Sequence, residues 1–161
     1  MKYFLGLGSN SGDRGKNIEE ALTRMGRSGF QVKKKSSLYE TEPVGLSCKL
    51  WFYNQVVEIV SSLQPEELLL WIKQTEHLMG RIASNSLKPR VIDIDILLAG
   101  DKVIRREDLQ IPHPRLAQRK FVLIPLSELA PDVVHPVLHE KIHDLLLKSN
   151  DRSGVRILKR L

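Results

Sequence analysis

The stretch RVIDIDILLAG, Arg90 to Gly100, decides how this chain can fold. Isoleucines at 92, 94 and 96 alternate with aspartates at 93 and 95, which is the two-residue period of a strand with one face in the core. β-branched side chains favour strand over helix. The opposite face carries two carboxylates, whose Cβ atoms lie about 6–7 Å apart along the strand. Because like charges repel, the pattern predicts a cationic partner beside them.

Strand-like and helical runs alternate along the chain in the order β-α-β-β-α-β. Apolar residues at helical spacing predict helices over 17–27 and over 65–80, where Pro65 lies in the first turn and Gly80 is a stop signal. This order is that of a ferredoxin-like core, a mainly antiparallel sheet with helices packed on one face. Two further helices follow toward the C-terminus. We therefore expect an α+β fold in a single domain over residues 1–161.

The composition is that of an ordinary globular protein, with 161 residues, 42% hydrophobic and 27% charged. The sequence contains neither a signal-peptide pattern nor an apolar stretch long enough for a membrane span, so we expect a cytoplasmic protein without membrane contact. The single cysteine, Cys48, excludes an internal disulfide and a cysteine-based metal cluster. The net charge of +6 favours an anionic partner, either a nucleotide or a nucleic acid.

Basic residues at 81, 88 and 90 precede the aspartate strand. The cation beside the aspartates could be arginine or lysine, or a divalent metal, and an exposed pair could also simply be solvated. Carboxylate oxygens suit Mg²⁺, which commonly takes one or two of them and completes its shell with water and substrate phosphates. Basic side chains would neutralise a polyphosphate. Acids and bases together indicate Mg–nucleotide chemistry, in which positioning and electrostatics do most of the catalysis.

Two short motifs invite other interpretations. GLGSNSG at 6–12 has Ser11 where a dinucleotide-binding loop needs its third glycine, so we expect Gly6 and Gly8 to form a tight turn after the first strand. HEKIH at 139–143 matches a zinc-protease signature and lies within a predicted helix. Neither histidine nor glutamate follows it as a third ligand, although His135 precedes it. We expect surface histidines here.

Six segments occur in one order along the chain. They are GLGSN at 6–10, YETEPVG at 39–45, FYNQVVEI at 52–59, the E(x)3GR pattern at 76–81, PRVIDIDIL at 89–97 and IPHPRLAQRKFVLIPLSELAPD at 111–132. In this combination the chain resembles the 6-hydroxymethyl-7,8-dihydropterin pyrophosphokinase family, folate-pathway enzymes that transfer pyrophosphate from ATP to a pterin alcohol and release AMP. The resemblance covers nearly the whole chain.

The resemblance implies a role for each of three groups of residues. Those implied in catalysis are Arg81, Arg90, Asp93 and Asp95, and the two aspartates would bind two Mg²⁺ ions. Those implied in ATP binding are Lys73, Glu76, Arg90, Ile96, His113 and Arg119. Those implied in pterin binding are Thr41, Glu42, Val44, Phe52, Asn54, Asp93 and Phe121, with the two phenylalanines sandwiching the ring. Residues 82–88 would form a lid over ATP, in which Ala83, Ser84 and Leu87 stand where basic or aromatic residues are common in the family and Lys88 would replace part of that charge.

Two other functions fit parts of the sequence. A ferredoxin-like sheet with a basic surface could be a nucleic-acid binding module, although the acid pair would repel phosphates without metal. A D-x-D motif also occurs in metal-dependent nucleotide-sugar transferases, whose catalytic domains are usually larger. A pterin kinase needs only two small-molecule partners, ATP and the pterin. We therefore expect that the protein binds no nucleic acid. We also expect it to be a monomer. Dependence of turnover on metal, ATP and pterin separates the three functions.

Overall fold

The computed structural model describes residues 1–43, 50–80 and 89–159. Its main element is a six-stranded sheet in the order β5-β1-β4-β3-β8, in which β2 also pairs with β4. The sheet strands are β1 (Lys2–Ser9), β2 (Gln31–Lys35), β3 (Leu38–Thr41), β4 (Phe52–Val60), β5 (Asp93–Ala99) and β8 (Val155–Lys159), and a separate hairpin contains β6 (Ile104–Arg105) and β7 (Gln110–Ile111). The helices are α1 (Arg14–Arg27), α2 (Pro65–Leu78), α3 (Lys120–Leu129) and α4 (Ile142–Lys148), with a 3₁₀ turn at Leu116–Gln118. All described pairings are antiparallel, which confirms the expected α+β class.

Strand β1 lies between β4 and β5 and divides the core into two layers. Because side chains alternate along a strand, Tyr3, Leu5 and Leu7 share one face. On that face the sheet packs against α1 and α2 in a single apolar cluster. The isoleucines at 92, 94 and 96 join this cluster and are at most 6% exposed. The prediction that they face the core is therefore confirmed.

The second face of the sheet is also covered by helices. Apolar strand residues on this face, Phe4, Val56 and Leu97 among them, pack with side chains of α3 and α4 in a second cluster. The two helices of the expected ferredoxin-like core, α1 and α2, lie on one face as predicted, and the two C-terminal helices, for which no face was predicted, cover the other. The physical reason is that the strands are apolar on this face too, so it must be buried. Leu97 shares this face with the two aspartates, because it follows them at two-residue spacing.

The C-terminal segment forms a strand, β8, on the free edge of β3. Arg156 of β8 lies opposite Glu40 of β3, and their side chains form an ion pair. Arg14 of α1 binds the same carboxylate at 3.0 Å. A buried carboxylate needs such partners because its desolvation is costly. Glu40 thereby joins the first helix and the last strand of the described chain.

The HEKIH segment does not lie on one helix. Helix α4 begins only at Ile142, and His139 has a positive φ of 57°. His139 and His143 are exposed, as expected, while His135 is buried and its Nδ1 accepts the backbone amides of Val137 and Leu138. Within residues 1–43, 50–80 and 89–159, no group of three or more His, Cys, Asp or Glu side chains could hold a metal ion. The predicted helix is wrong here because a turn closed by His135 precedes α4.

None of the helices in the described ranges combines the length and the hydropathy needed to span a membrane.

Glu128, near the end of α3, ties that helix to the sheet. Its carboxylate accepts hydrogen bonds from the amide of Ser37 (2.9 Å), the hydroxyl of Ser37 (2.7 Å) and the hydroxyl of Tyr39. Glu128→Ala leaves these donors without this acceptor, so we expect a loss of about 1–3 kcal/mol in the free energy of unfolding.

Urea unfolding measures this effect. Glu19→Ala is the matched control, an exposed glutamate on α1, and should change stability by less than about 0.5 kcal/mol. Equal stabilities of the two variants would contradict the proposed tie.

Candidate active site

A cavity of about 240 Å³ opens on the aspartate face of the sheet. Its walls come from β1, β3, β4, β5 and the start of α3. The cavity brings together most of the residues that the sequence singled out, namely Thr41, Glu42, Phe52, Asn54, Arg90, Asp93, Asp95, Arg119 and Phe121. Residues predicted for metal, nucleotide and pterin binding therefore share one cavity.

Two glycines form the floor of this cavity. Gly6 lies between Asp95 and Val56 in the sheet, and Gly8 lies between Asp93 and Asn54. A Cβ atom at Gly8 would come within 2.8 Å of the Asn54 Oδ1. The expected tight turn is wrong, because both glycines lie inside β1. In a strand, a glycine can mark a place where a ligand approaches the backbone.

One wall of the cavity presents an aromatic ring beside an oriented amide. Phe52 and Asn54 lie at i and i+2 of β4, so their side chains share a face. Asn54 Nδ2 donates a hydrogen bond to the Thr41 hydroxyl on β3. This bond fixes the orientation of the amide, whose Oδ1 lies close to Gly8. The arrangement offers a stacking surface and a fixed acceptor.

A second wall is formed by the start of α3. Phe121 lies in its first turn, and the Arg119 guanidinium is 5.4 Å from the centre of the Phe121 ring. This distance is typical of a cation–π contact. Phe52 and Phe121, predicted as the two faces of a sandwich, thus line the same cavity from different elements.

The cations beside the acid pair are arginines. Arg90 Nη1 lies 2.6 Å from Asp93 Oδ2, and both side chains are about one-fifth exposed. The backbone of Arg90 is held at the end of β1, since its amide donates to the Asn10 side chain (2.6 Å) and its carbonyl accepts the Asn10 amide (3.0 Å). Arg90 thereby accounts for part of the charge compensation that the strand pattern predicts.

Arg119 lies within electrostatic range of both aspartates. Burial and the neighbouring Arg115 lower its pKa, and the aspartates partly offset this effect. A guanidinium remains protonated in proteins, so the cavity contains a partly desolvated positive charge. Such a charge binds phosphate oxygens more strongly than an exposed one.

His113 lies within electrostatic range of this charge cluster, although it is not one of the residues that line the cavity. Its amide donates to the Leu97 carbonyl (3.0 Å), and its Nδ1 accepts the Arg115 amide (3.1 Å). Burial, followed by the positive charge of Arg119, lowers the pKa of His113 to about 4, although Asp93 opposes the shift. The imidazole is therefore neutral at pH 7, and its proton is on Nε2, which can donate a hydrogen bond.

Some predicted residues lie elsewhere. Lys73 is exposed on α2, Glu76 is buried on the same helix, and Ile96 is 6% exposed in the α1/α2 layer. None of these three lines the cavity, and their ATP-binding roles stay predictions. Val44, Arg81 and the predicted lid at 82–88 lie outside the described residues.

Arg115 is a lining residue that the sequence analysis did not single out. It is exposed, and its positive charge acts on both His113 and Arg119. Its position within IPHPRLAQRKF, between two predicted nucleotide contacts, is a signal that could have identified it. Apolar lining residues such as Leu97 and Val122 carried no such signal, because they also belong to the core.

The donor set of the acid pair fits Mg²⁺ in one particular way. Asp93 and Asp95 present carboxylate oxygens from one strand face, and Arg90 engages one oxygen of Asp93. The described residues provide no third acidic or histidine ligand for a metal. Two carboxylates are enough to hold Mg²⁺ when substrate phosphates and water complete its coordination shell. Two carboxylates alone do not provide a site in which all the ligands come from the protein.

The folded state keeps His113 neutral, which makes stability depend on pH. As the pH falls below 6.5 the unfolded chain binds a proton at this imidazole, whereas the folded chain binds it only near 4. Stability is therefore lost as the pH drops between these values. His113→Gln should flatten this dependence in urea unfolding of the metal-free protein at about pH 6.5, 5.5 and 4.5.

The control for this experiment is His143→Gln, an exposed histidine on α4, which should retain the slope of the parent protein. An unchanged slope in the His113 variant would show that the buried imidazole does not cause the dependence.

The sequence matches the family model for 7,8-dihydro-6-hydroxymethylpterin-pyrophosphokinase over residues 4–131. It is 41% identical to the 2-amino-4-hydroxy-6-hydroxymethyldihydropteridine pyrophosphokinase of Aquifex aeolicus over 97% of both chains. The Bacillus subtilis enzyme of the same name is 40% identical over 97% of this chain and 89% of its own.

Longer proteins also match. The folic acid synthesis protein of Pneumocystis carinii is 43% identical over 83% of this chain, which spans only 18% of that protein. The crystal structure of the Plasmodium falciparum HPPK-DHPS with pteroate has a TM-score of 0.74 at 19% identity, over 91% of this chain and 44% of that one, and supports the fold alone. The extent of the family match and the bacterial relatives show that the chain belongs to the 7,8-dihydro-6-hydroxymethylpterin-pyrophosphokinase family, enzymes of folate biosynthesis that transfer pyrophosphate.

Proposed function

We propose that this protein transfers pyrophosphate from ATP to the hydroxymethyl group of 6-hydroxymethyl-7,8-dihydropterin, with Mg²⁺, and releases AMP. The observation that carries the proposal is the single cavity that joins two aromatic walls, an oriented amide, two carboxylates and three arginines. A flat heteroaromatic substrate needs stacking surfaces and a few fixed polar partners. A polyphosphate needs concentrated positive charge.

In the proposed reaction the hydroxyl oxygen of the pterin attacks the β-phosphorus of ATP. The bond from that phosphorus to the oxygen of the α-phosphate breaks, its electron pair leaves with AMP, and the hydroxyl proton is lost. Asp93 and Asp95 would hold Mg²⁺, two ions by analogy with the family, which neutralises phosphate charge and lowers the pKa of the attacking hydroxyl. Arg90 and Arg119 stabilise negative charge on the transferred group.

Pterin recognition is assigned to the two walls. Phe52 and Phe121 stack on the two faces of the ring, and Asn54 reads its amide-like edge through Oδ1. Thr41 holds Asn54 in this orientation, because its hydroxyl accepts a hydrogen bond from Nδ2 of the Asn54 amide. Glu42 lines the same cavity. Val44 is assigned to the same site from the family resemblance.

Nucleotide recognition is assigned to the basic side of the cavity. Arg119 and Arg115 provide charge, and the neutral His113 can donate a hydrogen bond from Nε2 to a phosphate oxygen. Lys73, Glu76 and Ile96 are assigned to ATP, and Arg81 to catalysis, from the family resemblance.

We propose that residues 1–161 act as one domain and as a cytoplasmic monomer that binds small molecules. The acid pair beside Gly6 and Gly8 argues against a nucleic-acid binding module, because it would repel a phosphate backbone. The aromatic walls argue against a nucleotide-sugar transferase, because its sugar needs no sandwich between two rings.

Replacing Asp95 with asparagine tests the acid pair. The variant keeps the shape of the side chain and loses its charge, so we expect AMP formation to fall by roughly 100-fold or more. Asp101→Asn, an exposed aspartate after β5, should retain parent activity. AMP formation from ATP is measured with and without pterin and with a chelator. Undiminished turnover in the Asp95 variant would rule out the metal role.

Replacing Gly8 with alanine tests the floor of the cavity. The added Cβ would lie 2.8 Å from Asn54 Oδ1 and displace the amide, so we expect the KM for pterin to rise by roughly tenfold. Gly26→Ala is the matched control, since a Cβ there meets nothing within 4 Å. If both glycine variants bind pterin like the parent protein, Asn54 does not read the pterin edge.

A further inference from the structure

The residues between α4 and β8 contact both walls of the cavity without lining it. We call residues 149–156 the C-terminal strap. It begins where α4 ends and includes the first two residues of β8. The side chains that line the cavity come from residues 6–122, so the strap does not form part of its surface.

The strap holds the wall that contains Phe121. Asp151 Oδ2 accepts a hydrogen bond from the amide of Lys120 (2.9 Å), the first residue of α3. The residue at the N-cap position of α3, Arg119, provides no side-chain cap bond. A helix needs acceptors for its first amides, and a negative charge is favourable there. Asp151, which is distant in the sequence, therefore caps α3. The amide that it binds belongs to Lys120, the residue before Phe121.

The Asp151 carboxylate is itself held in place within the strap. Its Oδ1 accepts the Ser153 amide (2.9 Å), and the Asp151 amide donates to the Ser149 hydroxyl (3.2 Å). Burial alone would raise the pKa of Asp151, but the hydrogen bonds from Ser153 and Lys120 outweigh it and hold that pKa below its ordinary value. The carboxylate is thus ionised at neutral pH.

The strap also holds the wall that contains Phe52. The Gly154 amide donates to Glu42 Oε2 (2.8 Å), and the Gly154 carbonyl accepts the Glu42 amide (2.9 Å). Gly154 also lies against Trp51, since a Cβ at this position would come within 2.7 Å of the Trp51 ring. Glu42 follows Thr41 and Trp51 precedes Phe52, so this contact fixes the ends of both strands at the cavity.

We propose that the C-terminal strap is a positioning element for the pterin, which sets the spacing between the Phe52 wall and the Phe121 wall. The proposal rests on the proposed function. Glu128 fixes the far end of α3 to β3 through the Tyr39 hydroxyl, and Asp151 fixes the near end to the strap, so the strap decides where the Phe121 wall lies relative to β3 and β4. Stacking on two faces is sensitive to a change of a few tenths of an ångström in that spacing.

Three variants test the strap. Asp151→Ala removes the cap of α3, Asp151→Asn retains an oxygen acceptor, and Gly154→Ala pushes on Trp51. The control is Arg152→Ala, an exposed residue of the strap itself. Pterin binding is measured by calorimetry with and without a non-hydrolysable ATP analogue, KM values come from AMP formation, and thermal unfolding verifies that each variant folds.

We expect Asp151→Ala and Gly154→Ala to weaken pterin binding by about 3- to 10-fold, because a wall that shifts away from the ring loses part of its stacking contact. The KM for ATP should change by less than about twofold in the Gly154 variant, since that wall carries no residue assigned to ATP. Asp151→Asn should recover part of the affinity, and Arg152→Ala should bind like the parent protein.

Other outcomes overturn the proposal. Equal changes in the constants for both substrates in the Gly154 variant would mean that the strap acts on the whole fold, and unchanged pterin binding in both variants would remove its role. A parent protein that binds pterin but forms no AMP would refute pyrophosphate transfer and leave the binding test valid. A parent protein that binds no pterin would refute both.

Discussion

The structure depends on one constraint, which acts on β5. One face of this strand is apolar and must be buried, whereas the other carries two carboxylates that need compensating positive charge. Its isoleucines must leave water, which fixes the strand between β1 and the α1/α2 layer. The same alternation forces two like charges onto the other face, beside each other and only partly exposed. A buried charge is costly unless it is compensated, so Arg90 and Arg119 must come close. The core and the charge cluster are therefore two sides of a single strand.

The cavity exists because side chains are missing where three strands meet. Between the aromatic strand β4 and the acidic strand β5, β1 contributes only hydrogen atoms at two positions on the cavity face. Val56 and Leu97 form the apolar border of the cavity next to Gly6, and together with Phe4 they pack under α3 and α4. The sheet thus changes from a packed layer to a binding surface within a few residues. One part of each strand therefore contributes to the packed core, and another part of the same strand lines the cavity.

The features of the fold and of the candidate site that depend on local sequence patterns could be predicted. Alternation identified β5 and its two faces, and the order of elements indicated the ferredoxin-like sheet. The role of Gly6 and Gly8 was not predictable, because glycine suits a turn and an open strand equally well. The sequences of helices α3 and α4 did not indicate which face of the sheet they would cover, since apolar side chains can pack against any apolar surface. HEKIH looked helical because its spacing fits a helix, whereas the tertiary turn at His135 decided its conformation.

The pairing of β8 with β3 has a consequence for how the protein is made. Arg156 and Glu40 are 116 positions apart in the sequence, so this edge of the sheet can close only after residue 156 has been synthesised. Contacts of such long sequence separation form slowly, because loop closure must precede them. Until then Glu40 has only Arg14 as a partner among the contacts described above. The cavity is thus among the last parts of the described molecule to be completed, because a nascent chain that ends before residue 151 lacks the contacts that hold Lys120 and Glu42.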